Sequence, residues 1–562
     1  VIPSRPWTAR LALVLLVVCT TTHRFANQLV FDDEDLIDQG SVIHDPGRLP
    51  DVWTHHTMVA SAADPGLQSV DTYRPVTLTL FFLDAAISGR SPVGYHFTNL
   101  LLHIACALLV LAVGERWLGA AHRTAAFYGA AAFAAHPWGV EAHVWINGRS
   151  DPLALLFGLA AMLLLLRDPR TTRTSVLAGV AFLLGLLSKE TLLLTAPAIA
   201  LMPGPSGSTA PISARLRHRL PPLVIASVLY LALRTVVLSG LRAHRDEAML
   251  AEAALRLPVL LLDSLRQTVV PSVPYLRSLR DELAWVEPWH AGLALLGLVA
   301  ILAAAWTARR RQPLLAWSAL WFLPPLVPVA IIATVLWPGF GRYLYIPLAG
   351  FGWALAAAFA AFSESPRIRP ALLRVAAALH VLVLAVLGAV FTHDFRDSEA
   401  LYGAAITARP DIAMGHGWLG MARVRRGDIA GAGAPLERAV ELDPSTPRYL
   451  VHAARAALAS GDAPRAAALA RLGIARFEGR PEEAGFHFVA VNALPERNPI
   501  AAVGHLVRCL TVWPDRPDCT SALRALTQEA MDAPEHRAAL RAALAESPPE
   551  VAARLGPLAV EP

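Results

Sequence analysis

The sequence predicts an all-α protein, a polytopic bundle of membrane helices followed by a helical repeat domain. Three observations carry that expectation. Of 562 residues, 55% are hydrophobic and only 17% charged, with a mean hydropathy of +0.45, too apolar for a water-soluble chain of this size. Up to about residue 391, apolar runs alternate with short charged connectors, and a run of about 20 residues is what a helix needs to cross a hydrocarbon layer about 30 Å thick. Beyond about residue 397 the chain turns Ala- and Arg-rich and repeats itself. The expected domains are 1–396, with a long first loop at 24–94, and 397–562.

In order, the apolar runs predict spans near 7–23, 95–116, 124–138, 151–166, 175–187, 191–202, 221–239, 289–307, 314–336, 343–362 and 371–391, about eleven in all. The stretch 257–271 holds Asp263, Arg266 and Gln267, which are costly at a bilayer centre without partners, so it is expected to be re-entrant or interfacial. Arginines crowd the connectors after alternate spans, as in "RDPRTTR", "ARLRHR", "RRR" and "SPRIR". If these connectors face the cytoplasm, residues 24–94 and the C-terminal domain lie on the outer side. The first run would also serve as a signal peptide, with Val18 before Cys19 a poor lipoprotein cleavage site; either way the acids after it end up outside.

A net charge of +5 and a pI near 9.2, spread over many short loops, fit a positive-inside bias and not a nucleic-acid surface. Cys19, Cys106, Cys509 and Cys519 show no CxxC spacing, which argues against a zinc site or a disulfide framework; among them, Cys509 and Cys519 are the candidate pair. In the C-terminal domain the Gly427-Asp428 turn recurs as Gly461-Asp462, a period of about 34 residues that matches a tetratricopeptide unit. Ala432 and Ala466 fall at one phase, where paired helices approach closely. A degenerate third copy would end at Pro514.

Ionisable residues beside hydrocarbon need a partner or a function. Asp32, Asp33, Glu34, Asp35 and Asp38 crowd "FDDEDLIDQG", which as a bare charge cluster would be a solvated linker. "YRPVTLTLFFLDAAISG" reads as an interfacial amphipathic helix starting after Arg74. "HPWGVEAHVWINGRSD" carries His136, Glu141, Arg149 and Asp151, and "SKE" carries Ser188, Lys189 and Glu190. Structural ion pairs such as Arg149 with Asp151, or Lys189 with Glu141, are the plain alternative to a site. "FGRYLYIPLAGF" sets Arg342 beside Tyr343 and Tyr345; tyrosines there suit an aromatic belt, whereas a guanidinium suits a phosphate headgroup.

Taken together, "FDDEDLI", "YRPVTLTLFFLD", "GYHFTNLLLHIACALLV", "HPWGVEAHVWINGRSDPLALLFGL", "LLSKET" and "RYLYIPLAGF", followed by helical repeats, resemble the transmembrane and tetratricopeptide-repeat O-mannosyltransferase family and its bacterial relatives, within the GT-C class of membrane glycosyltransferases. The resemblance covers most of 30–200 and 338–351 and the plan of the C-terminal third, while 203–337 matches in hydropathy alone. It implies about eleven membrane helices, a catalytic acid in the first outer loop and a polyprenyl-phosphate-linked sugar donor. The family's acidic pair maps onto Asp32 and Asp33. Glu141, Arg149, Asp151, Lys189 and Glu190 would line the cavity with His136, and Arg74, Arg342 and Tyr345 would join Lys189 and Arg149 at the donor phosphate. Relatives often carry Glu before the Arg-Tyr of the last motif, where this chain has Gly341.

The chemistry those residues would perform is a displacement. Breaking a sugar–phosphate bond leaves negative charge on the departing lipid phosphate, which Lys189 and Arg342 would stabilise in a poorly hydrated site. The acceptor hydroxyl loses its proton to a carboxylate, Asp32 with Asp33 as orienter or substitute, and attack from the opposite face inverts the anomeric carbon. Neither a metal nor a cofactor is required, and a divalent cation among the carboxylates stays an alternative. Expected partners are the lipid-linked donor, with mannose as its sugar by the resemblance, exported protein acceptors presented by the repeats, and membrane lipids, in a bacterial inner membrane with the site facing the periplasm. Transfer to a lipid or envelope glycan is the alternative within the chemistry. A lipid or solute transporter would place ionisable residues at span centres and duplicate its halves, and a tethered scaffold would need one span.

Overall fold

The computed structural model describes residues 6–37, 41–55, 72–167, 171–205, 211–238, 247–270, 272, 274–275, 277–278, 282–330, 338–339, 341–480, 482–493, 499–513 and 517–530. Asp38, Pro271, residues 331–336, Phe340 and Pro514, which enter the expectations above, lie outside them. The chain divides into two units, 1–404 and 405–562.

Helices dominate the first unit, and eight segments among the described residues are long and apolar enough to cross a membrane: Trp7–Ala26, Pro92–Leu118, Ile146–Leu165, Ile212–Leu238, Pro288–Ala308, Pro313–Ala330, Gly341–Ser363 and Pro370–Asp394. The chain is a multi-pass membrane protein. Its outer helices expose Ile225, Leu229, Leu295, Leu296, Leu379 and Leu382, an apolar coat that only a hydrocarbon solvent tolerates over so many turns. Three of the eleven predicted spans are shorter. Residues 124–138 hold helix Arg123–Ala135, stopped by His136-Pro137, because proline lacks the amide to continue. Helix Thr172–Leu186 ends before Ser188-Lys189, and 191–202 is split into a 3-10 turn and helix Ala196–Leu201.

Residues 257–269 form the C-terminal half of a continuous helix, Glu247–Val269. Its polar residues have partners: Asp263 accepts from Arg266 and Gln267 and pairs with Arg277 at 3.0 Å, and Arg277 also pairs with Glu282. Arg277–Ser278 then pairs antiparallel with Pro338–Gly339, Arg277 opposite Gly339. This short ladder holds the chain just before Gly341 and Arg342.

The bundle centre is built on close backbone approach and on tryptophan. Helix Arg123–Ala135 crosses helix Tyr345–Ser363 at two glycines; a Cβ on Gly129 would lie 2.2 Å from the Gly352 carbonyl oxygen, and in lipid such contacts supply much of helix association. Gly129→Ala is therefore expected to lower stability by about 1–3 kcal/mol, read as a lower melting midpoint in detergent. Gly292→Ala, where a Cβ meets nothing, should leave the midpoint unchanged. Trp117, Trp317, Trp321 and Trp353 pack with ring centroids 4.6–5.7 Å apart, and each indole N–H donates to a backbone carbonyl of another segment, Pro203, Ala198, Ile346 and Val110 respectively. Large apolar area is thereby buried with no unpaired indole.

In the second unit, helices Ala413–Arg425 and Ile429–Leu442 form one antiparallel pair, and Pro447–Ala459 and Ala463–Arg476 a second. The intervening turns superpose in chemistry: Gly427 and Gly461 sit at φ +81° and +85°, which only glycine adopts without strain. Asp428 and Asp462 then cap the next helix by accepting from the Gly431 and Arg465 amides. Ala432 and Ala466 are fully buried at the pair contacts. Further helices follow at Glu483–Asn492, Pro499–Val512 and Pro517–Ala530, and a Cys509–Cys519 disulfide joins the last two.

Candidate active site

The acidic run starts a short helix, Asp32–Ile37, entered through Phe31 at φ +57°. A bulky residue in the left-handed region costs about 1–3 kcal/mol and persists only when its surroundings hold it. Here the Phe31 ring meets the Trp145 ring edge-on at 5.5 Å, and the Asp33 and Glu34 amides donate back to the Val30 and Phe31 carbonyls. The turn buries Asp33. One of its carboxylate oxygens accepts from the Asn147 amide at 2.9 Å, and the other is buried with no hydrogen-bond partner among the described residues. Burial pushes the Asp33 carboxyl well above the usual range and adjacent Asp32 adds to that rise, while the Asn147 amide and the Arg149 charge oppose it.

From Trp145 the site continues to the cations. The Arg342 guanidinium lies over the Trp145 ring at 4.4 Å and near the Tyr343 ring at 5.5 Å. Lys189 lies over the Tyr343 ring as well, its Nζ 5.0 Å from the ring centroid. Buried Lys189 donates to Asp151 at 2.5 Å. Desolvation pulls its ammonium down to about 8 against the attraction of Asp151, with Arg342 and Arg74 adding to the fall. Arg74 forms a two-pronged pair with Glu190, 3.0 Å and 2.6 Å, and the Thr77 hydroxyl donates to the Ser188 carbonyl, so the start of helix Pro75–Ser88 is fastened to the "SKE" turn.

Glu141 fills the place beside Arg342. It is buried, and its Oε2 accepts from the Gly341 amide at 2.7 Å. A Cβ at 341 would stand 3.2 Å from the Trp138 ring and 3.4 Å from that same oxygen. With glycine before Arg342, the carboxylate near this motif comes instead from the 137–144 turn. Burial raises the Glu141 carboxyl to about 7, opposed first by the Arg342 charge. A carboxyl raised in the folded state contributes stability fully below its ordinary 4.5 and loses it as pH climbs through about 7. Glu141→Gln is thus expected to flatten the fall of melting midpoint across that window, measured by pH-resolved thermal unfolding in detergent.

Not every sequence candidate joins this group. The ion pairs offered as the plain alternative, Arg149 with Asp151 and Lys189 with Glu141, are not the ones formed: Lys189 pairs with Asp151, and Arg149 pairs with Asp84 at 2.5 Å. Arg149 is fully buried, also donates to the Tyr95 carbonyl and lies over the Phe81 ring, so it acts on Asp33 through its field and holds helix Pro75–Ser88 in place. Tyr345 turns into the bundle, its hydroxyl 2.7 Å from His103 Nδ1. The His103 ring stacks on His143 at 3.7 Å, and Arg24 hydrogen-bonds the His143 ring and carbonyl. His136 Nε2 meets the Thr268 carbonyl at 3.0 Å while its Nδ1 accepts from the Trp138 amide, which fixes the turn toward helix Glu247–Val269. Trp145, Phe31, Asp84 and the Asp263–Arg277–Glu282 set went unassigned in the sequence. The indole beside "ING" was the one local signal for Trp145. Among the described residues no group of three or more His, Cys, Asp or Glu is arranged to hold a metal ion.

No family model matches the chain. It is similar to Protein O-mannosyl-transferase TMTC4 of Mus musculus, 29% identical over 177 residues that make up 29% of this chain and 24% of the relative. Protein O-mannosyl-transferase F38B6.6 of Caenorhabditis elegans is 28% identical over 188 residues, 33% of this chain and 26% of the relative. Protein O-mannosyl-transferase TMTC2 of Homo sapiens is 39% identical over 92 residues, 16% and 11% of the two chains. The chain thus spans at most about a quarter of the length of these curated relatives. They are proteins of the family that the sequence motifs resemble.

Proposed function

We propose that the chain is a membrane glycosyltransferase of GT-C type, which moves a sugar, mannose by similarity to its relatives, from a polyprenyl phosphate to hydroxyl groups of exported proteins. The observation that carries this reading is the linkage of opposite charges through one aromatic wall. The Asp32–Asp33 turn leans by Phe31 on Trp145, and Trp145 and Tyr343 carry Arg342 and Lys189. In the reaction the acceptor oxygen forms the new bond to the anomeric carbon as the carbon–oxygen bond to the lipid phosphate breaks. The hydroxyl proton passes to Asp32, with Asp33 orienting it, and the leaving phosphate keeps the electron pair. Arg342 and Lys189 neutralise that phosphate where water is scarce. Attack opposite the leaving group inverts the anomeric centre.

The Cys509–Cys519 disulfide supports an outer, oxidising location for the second unit, and with it a periplasmic site in a bacterial inner membrane. The 34-residue pairing of helices supports a tetratricopeptide solenoid, suited to presenting extended acceptor segments. The test compares exported proteins from cells with an active copy and with an Asp32→Asn, Asp33→Asn copy by glycan mass spectrometry. Loss of a hexose from Ser or Thr is the expected result. Unchanged protein glycans with an altered lipid or envelope glycan would move the acceptor, and no change in either would overturn the enzyme.

A further inference from the structure

Far from the acids, the other end of the bundle holds a polar concavity of about 390 Å³, lined by Arg10, Glu115, Arg116, Arg123 and Arg167, with Ala112 and Leu163 also in its lining. Helix Pro92–Leu118 runs the whole way between the two: its first turns meet Arg149 and Asp84, and its last turn supplies Glu115 and Arg116. The rise of the helix from Tyr95 to Glu115 puts about 30 Å between these two ends. Four arginines against one glutamate leave a surplus of three positive charges among its lining residues.

Arginine in a connector is by itself a topology signal, and that role asks for no convergence. The connector arginine Arg309, for comparison, lies on its own Trp306 ring at 3.6 Å. Here the guanidinium-bearing residues come from four separate segments: the start of helix Pro6–Thr21, the end of helix Pro92–Leu118, the first residue of helix Arg123–Ala135 and the residues after helix Ser150–Leu165. Gly119, at φ +75°, makes the turn between the helices that carry Arg116 and Arg123. The Arg10–Glu115 pair, 2.9 Å, sets one wall. Its apolar lining residues Ala112 and Leu163 belong to segments long and apolar enough to cross a membrane. A free inorganic anion has no use for such neighbours; an amphiphile does.

We infer that this concavity binds the phosphate headgroup of an anionic phospholipid in the leaflet opposite the catalytic side, with the acyl chain against Ala112 and Leu163. Forked guanidinium donors match phosphate oxygens, and basic pockets between membrane helices hold anionic headgroups by this electrostatic term. Bound lipid would tie together the ends of four helices. The inference stands independently of the transferase reading, since none of these residues belongs to the candidate active site.

The test uses the full chain in neutral detergent, titrated with phosphatidylglycerol, with phosphatidylcholine of the same chains and with inorganic phosphate, bound lipid being counted by native mass spectrometry. Phosphatidylglycerol is expected to bind about tenfold tighter than phosphatidylcholine, and Arg116→Gln with Arg123→Gln to remove about tenfold of that affinity. Glu115→Gln separates the readings by sign. A merely structural Arg10–Glu115 pair predicts weaker lipid binding on its loss, whereas an anion site predicts binding strengthened about threefold. Arg309→Gln with Arg310→Gln should change nothing. Equal binding of the two lipids, unchanged affinity in the double Arg variant, weaker binding by Glu115→Gln, or displacement of lipid by equimolar phosphate would each overturn the proposal.

Discussion

Replacing Asp32 and Asp33 together by Asn is expected to reduce sugar transfer by about 10²- to 10⁴-fold, the range a positioned general base contributes, while leaving folding intact. The second half of that expectation follows from the geometry. Asp33 uses one oxygen to accept from the Asn147 amide and buries the other with no hydrogen-bond partner among the described residues, and an Asn amide turned with its carbonyl to Asn147 keeps the first contact. Burial already favours the neutral carboxyl at this position, so a neutral amide imposes no new desolvation cost. The Phe31 turn is held by Trp145 and by backbone hydrogen bonds, none of which the substitutions touch. Single variants divide the roles: Asp32→Asn should account for most of the loss if Asp32 takes the proton. Asp33→Asn should change the acid side of the rate–pH profile, because it removes the coupled neighbour. The measurement is transfer from a synthetic lipid-phosphate sugar to a Ser/Thr peptide, beside the melting midpoint of each variant. Transfer within threefold of the unaltered protein would defeat the assignment.

How far the sequence disclosed this arrangement depended on the range of each interaction. Spans were readable because helix length against hydrocarbon thickness is a local property, and the three shorter ones are those where His136-Pro137, Ser188-Lys189 or a 3-10 turn shortens the helix. The repeat turns were readable because Gly427 and Gly461 occupy a backbone region that other residues avoid. Pairings across the bundle were not. Lys189 has Glu141 and Asp151 within the same motif set, and nothing in spacing says which loop will approach it. The cost of Asp263, Arg266 and Gln267 in lipid was evident, but Arg277 and Glu282, which offset it, sit in a stretch with no periodicity. Phe31 gave no sign at all, since a positive φ at phenylalanine is imposed by tertiary contacts and not by propensity.

The Lys189–Asp151 pair offers the sharpest separation of structure from chemistry. Both groups are about 2% exposed, so removing one strands the other: Lys189→Met is expected to cost about 3–5 kcal/mol of stability, because an unpaired buried carboxylate remains. Replacing both, Lys189→Met with Asp151→Leu, takes the two charges away together, and apolar replacements of a buried pair are commonly neutral in stability. The double variant should therefore recover most of the melting midpoint lost by the single one. Transfer should not recover. If Lys189 neutralises the departing phosphate, its loss costs about 10²- to 10³-fold in rate whether or not Asp151 is present, leaving a well-folded and nearly inactive protein. A second readout needs no substitution. With its ammonium drawn down to about 8 by burial, Lys189 is mostly charged at neutral pH and loses its proton as pH rises through that value, so transfer should fall on the alkaline side near pH 8 and Lys189→Arg should carry that limb upward. Full transfer by the double variant would reduce the pair to a structural bridge and leave Arg342 as the remaining cation of the proposed phosphate site.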